Sequence, residues 1–70
     1  MDRQPVQSSN IRSIGYDLDA SVLEIEFQNG SIYQYSAVPE DVHARFMHAA
    51  SKGKFLNTQI KDRYRSHQVR

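Results

Sequence analysis

Apolar and polar residues alternate along two runs within residues 22–35. In the first run Leu23, Ile25 and Phe27 alternate with charged or amide side chains, the pattern of a strand with one buried and one solvated face. The second run, I-Y-Q-Y, follows Asn29-Gly30, a dipeptide typical of tight turns. The pattern predicts a β-hairpin whose apolar face is covered by another part of the chain.

The turn at Asn29-Gly30 allows two registers for this hairpin. A two-residue loop would place Tyr33 and Tyr35 beside the glutamates of the first strand, giving mixed faces. A three-residue loop that includes Gln28 would place both tyrosines on the apolar face. Because a slip of one residue moves every side chain to the other face, burial favours the three-residue loop. The predicted pairs are then Ile25 with Tyr33 and Leu23 with Tyr35.

A further strand is predicted before the hairpin, over residues 11–16, where Gly15 is a candidate site for a bulge. The polar residues 17–21 predict the connecting turn. Three consecutive strands joined by short turns make an antiparallel meander. Residues 1–9 are polar and predict a flexible lead-in.

After Val38 the period of the pattern changes. Pro39 suits the first position of a helix, and the two acidic residues that follow it complement the positive end of the helix dipole. An apolar stripe on this helix would lie on the sheet. Its members are Val42, Phe46, Ala49 and Ala50. Gly53, in a left-handed conformation, is predicted to end the helix.

A second helix is predicted from the four-residue spacing of Leu56, Ile60 and Tyr64. On such a helix three basic residues would form a ridge about 120° from the apolar stripe. They are Lys54, Lys61 and Arg65. Residues 66–70 predict a flexible tail. The fold class is therefore α+β, a three-stranded antiparallel meander covered on one face by one or two C-terminal helices, in a single domain over residues 10–65.

The composition of the chain restricts the cellular compartment in which we expect the domain and the kinds of site it can contain. The chain has 70 residues and no cysteine, which excludes disulfides and thiolate metal sites and suits a reducing compartment. No apolar run approaches the length of a membrane span, and the first residues lack the apolar segment of a signal peptide. We therefore expect a soluble, cytoplasmic monomer that does not act at a membrane.

The net charge of +1 conceals a division between the two parts of the chain. Residues 1–42 hold two basic and seven acidic residues, a net charge of −5, whereas residues 43–70 hold seven basic and one acidic residue, a net charge of +6. Such asymmetry favours a basic surface that meets an anion, of which nucleic acid is the commonest large example. The alternative is a solvated charged surface without a partner.

No arrangement typical of catalysis is found. His43 and His48 are five residues apart, about 140° around a helix, so they cannot hold a metal together. Glu24 and Glu26 share one strand face, but an exposed sheet face offers no cleft that would shift their pKa values. We expect no enzyme activity, no metal and no cofactor, and we expect His43 to be a half-buried helix residue.

An ordered set of short motifs over residues 6–65 resembles the KTSC domain. The set consists of Ser8-Ser9, Ile11, Ile14-Gly15-Tyr16-Asp17, the L-E-I-E-F strand, the N-G turn, Tyr33-Gln34-Tyr35, Val38-Pro39, Ser51-Lys52-Gly53-Lys54-Phe55 and the residues from Ile60 to Tyr64. The Y-x-Y motif is the central mark of the family. One departure is Leu56, at a position associated with an aromatic residue. The resemblance implies a domain found at the C-terminus of some lysyl-tRNA synthetases and alone in small bacterial proteins, with RNA binding as its suggested function.

The Y-x-Y tyrosines, Tyr33 and Tyr35, are interpreted as structural residues rather than as a platform for stacked bases. Nucleic-acid contact is predicted instead at the C-terminal basic residues. These are Lys52, Lys54, Lys61, Arg63 and Arg65. They would bind phosphate, weakly and with little sequence preference, in an RNA such as tRNA. The alternative is a protein-interaction module that docks an acidic partner on the same residues or pairs through an edge of the sheet.

Overall fold

A computed structural model describes all 70 residues as one antiparallel sheet with two short helices. The five strands, β1 (Arg3–Pro5), β2 (Ile11–Asp17), β3 (Val22–Phe27), β4 (Ile32–Tyr35) and β5 (Ser66–Gln68), follow one another in this order across the sheet. Helices α1 (Glu40–His48) and α2 (Lys52–Phe55) lie between β4 and β5, and α2 continues into a π-helical turn, Leu56–Ile60. No helical segment combines the length and the apolar composition that a membrane-spanning helix requires.

The α+β class and the central meander are confirmed, but the prediction of three strands is wrong. The two additional strands, β1 and β5, have three residues each and lie at the two edges of the sheet. They fall within the segments predicted as a flexible lead-in (1–9) and a flexible tail (66–70). Such short strands carry no alternating pattern, because what holds them is backbone pairing with β2 and β4.

The hairpin has the predicted three-residue loop. Strand β4 pairs with β3 so that Leu23 lies opposite Tyr35 and Ile25 opposite Tyr33. The Gly30 N–H donates to the Phe27 carbonyl at 2.9 Å, and Gly30 has a φ of 93°, in the region that favours glycine. The register therefore gathers the apolar residues and both tyrosines on one face.

The bulge in β2 lies near its start and not at Gly15. The register between β2 and β3 shifts between Ile11 and Ser13, so that the core residues Ile11 and Ile14 share one face although they are three positions apart. Gly15 is paired regularly with Glu24. A Cβ atom on Gly15 would lie 2.8 Å from the backbone oxygen of Asp2, so glycine is required there for the close approach of the N-terminal segment.

The core lies between one face of the sheet and the helical segment. Helix α1 contributes Val42 and Phe46, and the π turn contributes Leu56 and Ile60. The remaining members of the core come from the strands and from the connection to α1. They are Ile11, Ile14, Leu23, Ile25, Tyr35 and Val38.

The prediction that α1 runs to Gly53 is wrong. The helix ends at His48, and Ala49 is in an extended conformation. Ser51 then begins α2, because its side chain accepts a hydrogen bond from the backbone N–H of Lys54. Gly53 lies inside α2 and does not have a positive φ. Serine capping thus interrupts a helical pattern that apolar spacing alone would have continued.

Candidate functional site

A long groove separates α2 and the π turn from the hairpin loop and the segment before β2. It consists of three adjoining depressions of about 580, 330 and 440 Å³, and Asn57 lines all three. We call this depression the groove. Its lysine end is lined by Ser8, Ser9, Asn10, Lys52 and Lys54, and its tyrosine end by Phe27, Tyr33, Tyr35, Lys61 and Asp62.

The hairpin register places two tyrosines and a phenylalanine at the tyrosine end. Tyr33 is half-buried, and its ring meets that of Phe27 edge to face, with centroids 5.7 Å apart and planes 87° apart. The Tyr33 hydroxyl donates a hydrogen bond to Oε1 of Gln68 at 3.2 Å, which ties this ring to β5. The ends of β3 and β4 next to the hairpin loop thus give this part of the groove an aromatic wall.

Tyr35 belongs both to the core and to the lining of the groove. The residue is 5% exposed and lines the tyrosine end. The hydroxyls of Tyr16 and Tyr33 have partners within the protein, whereas that of Tyr35 has none. Since no fully buried side-chain oxygen or nitrogen lacks a partner, this hydroxyl must be accessible to solvent. Burial, and secondarily Tyr33, raise the pKa of Tyr35, so it remains protonated.

The lysine end is built by the capping of α2. The ammonium of Lys52 donates to the carbonyl oxygen of Ala49 at 2.6 Å, satisfying a group left free by the end of α1. Lys54 is exposed, and its ammonium has no hydrogen-bond or ion-pair partner. Across the groove, Ser8 Oγ accepts hydrogen bonds of 3.3 Å from the backbone N–H groups of Asn10 and Ile11. These bonds order the segment before β2, which forms the opposite wall.

The predicted helical ridge of Lys54, Lys61 and Arg65 does not form. The π turn is closed by a bond from the N–H of Lys61 to the carbonyl of Leu56, 2.8 Å long, and the helical segment ends there. The carbonyl oxygen of Arg65 instead accepts a hydrogen bond of 2.8 Å from the N–H of Ser36, which follows β4. Lys54 and Lys61 therefore border the groove, while Arg63 and Arg65 lie outside it.

None of the five predicted basic residues forms an ion pair. Elsewhere the basic side chains are neutralised: Arg45 lies 3.6 Å from Asp41, and Arg70 lies 3.3 Å from Glu26. Lys52, Lys54 and Lys61 line the groove, and one carboxylate, that of Asp62, lines it as well. The free positive charge of the domain is thus concentrated on the segment from Lys52 to Arg65.

The face of the sheet opposite the helices carries an ion-pair network. Arg3 contacts Glu24 directly and lies 4.0 Å from Glu26, and Gln34 donates to Glu24 at 2.8 Å. Glu24 is only 7% exposed, so the interpretation of its face as simply solvated is wrong. The sequence pattern did not reveal the network because Arg3 reaches Glu24 only through the short strand β1.

Stability should fall on acidification because of Glu24. Burial opposes its charged form, but hydrogen bonds from Gln34 and Arg3 and the charge of Arg3 outweigh burial, so the pKa of Glu24 is lowered from 4.5. Its stabilising contribution is complete above pH 4.5 and is lost as the pH falls through the lowered value. Glu24→Gln should flatten this part of the stability profile in urea unfolding from neutral pH to pH 3. Asp19→Asn, at an exposed turn, is the control. An unchanged profile in Glu24→Gln would contradict the assignment.

The histidines do not form a site. The ring of His43 stacks on Tyr16, with centroids 4.6 Å apart, and burial, only partly offset by Glu40, lowers the pKa of His43. His43 is half-buried, as predicted, and His48 is exposed. No group of three His, Asp or Glu side chains is arranged to hold a metal ion.

Two groove residues were missed in the sequence. They are Asn57, an amide residue of low helix propensity, and Asn10, which directly precedes β2. Both belong to the groove because the π turn and the segment before β2, which are distant in sequence, meet there. The only local signal was the placement of an asparagine inside an otherwise helical pattern.

Comparison with known proteins gives one consistent result. The sequence pattern of the KTSC domain matches residues 7–64. An uncharacterized protein from Stutzerimonas stutzeri is 41% identical over 64 residues, covering 91% of this chain and 90% of that protein. The crystal structure of a KTSC domain protein from Yersinia pestis is 48% identical, with a TM-score of 0.93, covering 99% of this chain and 97% of that one.

Part of a larger enzyme is also similar to this chain. A lysine–tRNA ligase from Nostoc punctiforme is 35% identical over 63 residues, which are 90% of this chain but 11% of the ligase. The shared segment is thus a small part of that protein. Because the family pattern covers most of the chain and a solved member has the same fold, the protein belongs to the KTSC domain family.

Proposed function

We propose that the domain is a non-catalytic module that binds RNA through the basic residues of its C-terminal segment. The observation that carries the proposal is the set of five cations without ion-pair partners, three of which line one groove. Neutralising phosphates with such side chains releases counterions from the nucleic acid, which is the main source of affinity in non-specific complexes.

The charge pattern favours the groove over the rest of the surface. Asp17 and Asp19 lie at the β2–β3 turn, at the opposite end of the sheet from the hairpin loop that borders the groove, because successive turns of an antiparallel meander lie at opposite ends. Arg45 and Arg70 are occupied by carboxylates. A phosphate chain therefore meets attraction at Lys52, Lys54 and Lys61 and repulsion at the far turn.

The relatives supply a setting for such an activity. A lysine–tRNA ligase acts on tRNA by its name, and a similar segment forms part of its chain. Weak, sequence-independent phosphate contacts in an appended domain would raise the affinity of the whole protein for its RNA. On its own, a domain of this size with few phosphate contacts should bind weakly and with strong dependence on salt.

An NMR titration of the labelled domain with a short single-stranded RNA and with tRNA tests the proposal. At about 50 mM salt we expect shifts in Lys54, Asn57 and Lys61 and none at Asp19, and we expect them to shrink at about 200 mM salt. No shifts at low salt would refute RNA binding. Shifts with polyglutamate and none with RNA would favour an acidic protein partner on the same residues. Pairing through a sheet edge is disfavoured, because both edge strands have only three residues.

A further inference from the structure

The Tyr35 hydroxyl is a polar group that the fold leaves without a partner. The residue is 95% buried and lines the tyrosine end of the groove, and its hydroxyl is not fully buried, whereas the hydroxyls of Tyr16 and Tyr33 are bonded within the protein. A phenylalanine at this position would fill the same core volume without a polar atom. Because the hydroxyl is accessible and has no partner within the protein, it is free to bond with a molecule that occupies the groove.

The groups around this hydroxyl are complementary to one kind of ligand. Phe27 and Tyr33 supply ring surface, and since their planes are 87° apart, a flat ligand stacked on one ring would meet the edge of the other. The Asn57 side chain has no hydrogen bond within the protein and offers two donors and an acceptor. Lys61 adds a free positive charge, and the carboxyl group of Asp62 offers hydrogen-bond acceptors. These groups together suit a ligand that has a flat ring, polar atoms along the edge of that ring, and a negative charge.

We infer that the tyrosine end of the groove binds one unpaired base of a single-stranded RNA. The inference rests on the proposed RNA binding and specifies its ligand. The base stacks on the ring of Tyr33 or Phe27, its polar edge bonds with Tyr35 and Asn57, and its phosphate lies at Lys61. The depression measures about 440 Å³, within the range of pockets that hold small flat ligands. A base within a duplex cannot enter, because its two faces are stacked on its neighbours and its Watson–Crick edge is paired.

This assignment differs from an open stacking platform. The tyrosines do not present exposed faces on a sheet surface, since Tyr35 is in the core and Tyr33 is half-buried. The structural role expected for both residues and the base contact are therefore compatible. The ring of Tyr35 stabilises the core, and its hydroxyl serves the ligand.

The test compares binding of a labelled single-stranded octamer, the same octamer as a duplex, and an abasic octamer, by fluorescence anisotropy. We expect the domain to bind the single strand about tenfold more tightly than the abasic strand. Tyr35→Phe and Asn57→Ala should each lower single-strand affinity about three- to tenfold. Neither should change duplex affinity or the salt slope. Gln59→Ala, on the same turn but outside the tyrosine end, is the control.

Three other outcomes would contradict the base site or the proposed RNA binding. Equal affinity for the normal and abasic strands would overturn the base site while leaving phosphate binding intact. Wild-type affinity in both Tyr35→Phe and Asn57→Ala would do the same. Absence of binding to all three RNAs would instead refute the proposed function itself. Thermal unfolding of each variant checks the fold, and Asn57 is exposed, so its substitution gives a result even if Tyr35→Phe perturbs the core.

Discussion

Phe46→Ala should lower the free energy of unfolding by about 3–5 kcal/mol, the usual cost of removing a buried aromatic ring. Phe46 is completely buried and stacks on Phe55, with ring centroids 5.4 Å apart, so it joins α1 to α2 as well as to the sheet. A chain of 70 residues has a total stability of roughly 4–10 kcal/mol. The variant should therefore be close to unfolding, and urea titration followed by circular dichroism measures the loss.

Two further variants separate this effect from general damage to the helix. Phe46→Leu keeps most of the volume and should cost roughly 1 kcal/mol. Met47→Ala removes the neighbouring, half-exposed side chain of the same helix and should cost less than Phe46→Ala. If Phe46→Ala and Met47→Ala lowered stability equally, the assignment of Phe46 as the centre of the core would be refuted.

The hairpin shows which part of the fold was predictable from the sequence. Its register followed from two facts that are both local, the alternation along residues 22–27 and the loop geometry that glycine permits at Gly30. Only one of the two registers then buries all the apolar side chains together, because the other would place the tyrosines beside the glutamates. Where local pattern and burial agree in this way, a short sequence determines the pairing.

The edge strands show what the pattern could not determine. Strand β1 has the sequence R-Q-P and β5 the sequence S-H-Q, and neither has a buried face. Their positions depend on the free edges of β2 and β4 and on long-range bonds such as that between Arg3 and Glu24. Interactions between residues 21 positions apart leave no periodic trace in the sequence.

The candidate site was predictable in its charge but not in its shape. The count of charged residues placed the excess of basic side chains on the C-terminal segment. The structure shows that these side chains are also free, because the ion pairs of the domain are formed by other arginines, such as Arg45 and Arg70. The groove itself depends on the early end of α1, the cap at Ser51 and the π turn. Each of these features redirects the chain through a few hydrogen bonds. As a result, Lys61 lines the same depression as Tyr35, whereas Arg65 does not. The partnerless hydroxyl of Tyr35 is visible only once its neighbours are placed.

The double variant Lys54→Gln/Lys61→Gln should weaken binding to single-stranded RNA about 25-fold at 0.1 M salt. Each phosphate contact on a single strand contributes about 0.7 to the slope of log affinity against log salt, so losing two contacts should reduce the slope by about 1.4. Both side chains are exposed and have no hydrogen bond or ion pair, so the fold should be unaffected. Anisotropy titrations at several salt concentrations measure the affinity and the slope together.

Arg63→Gln/Arg65→Gln is the matched control, because it removes the same charge from exposed positions outside the groove. If phosphates follow the groove, this variant should lose only a few-fold in affinity, from the weaker long-range field. Equal losses in the two double variants would mean that charge anywhere on the segment suffices, and the groove would have no special role. An unchanged affinity in Lys54→Gln/Lys61→Gln would exclude the groove lysines as the phosphate contacts. The comparison therefore separates a shaped binding site from a diffuse basic surface at constant net charge.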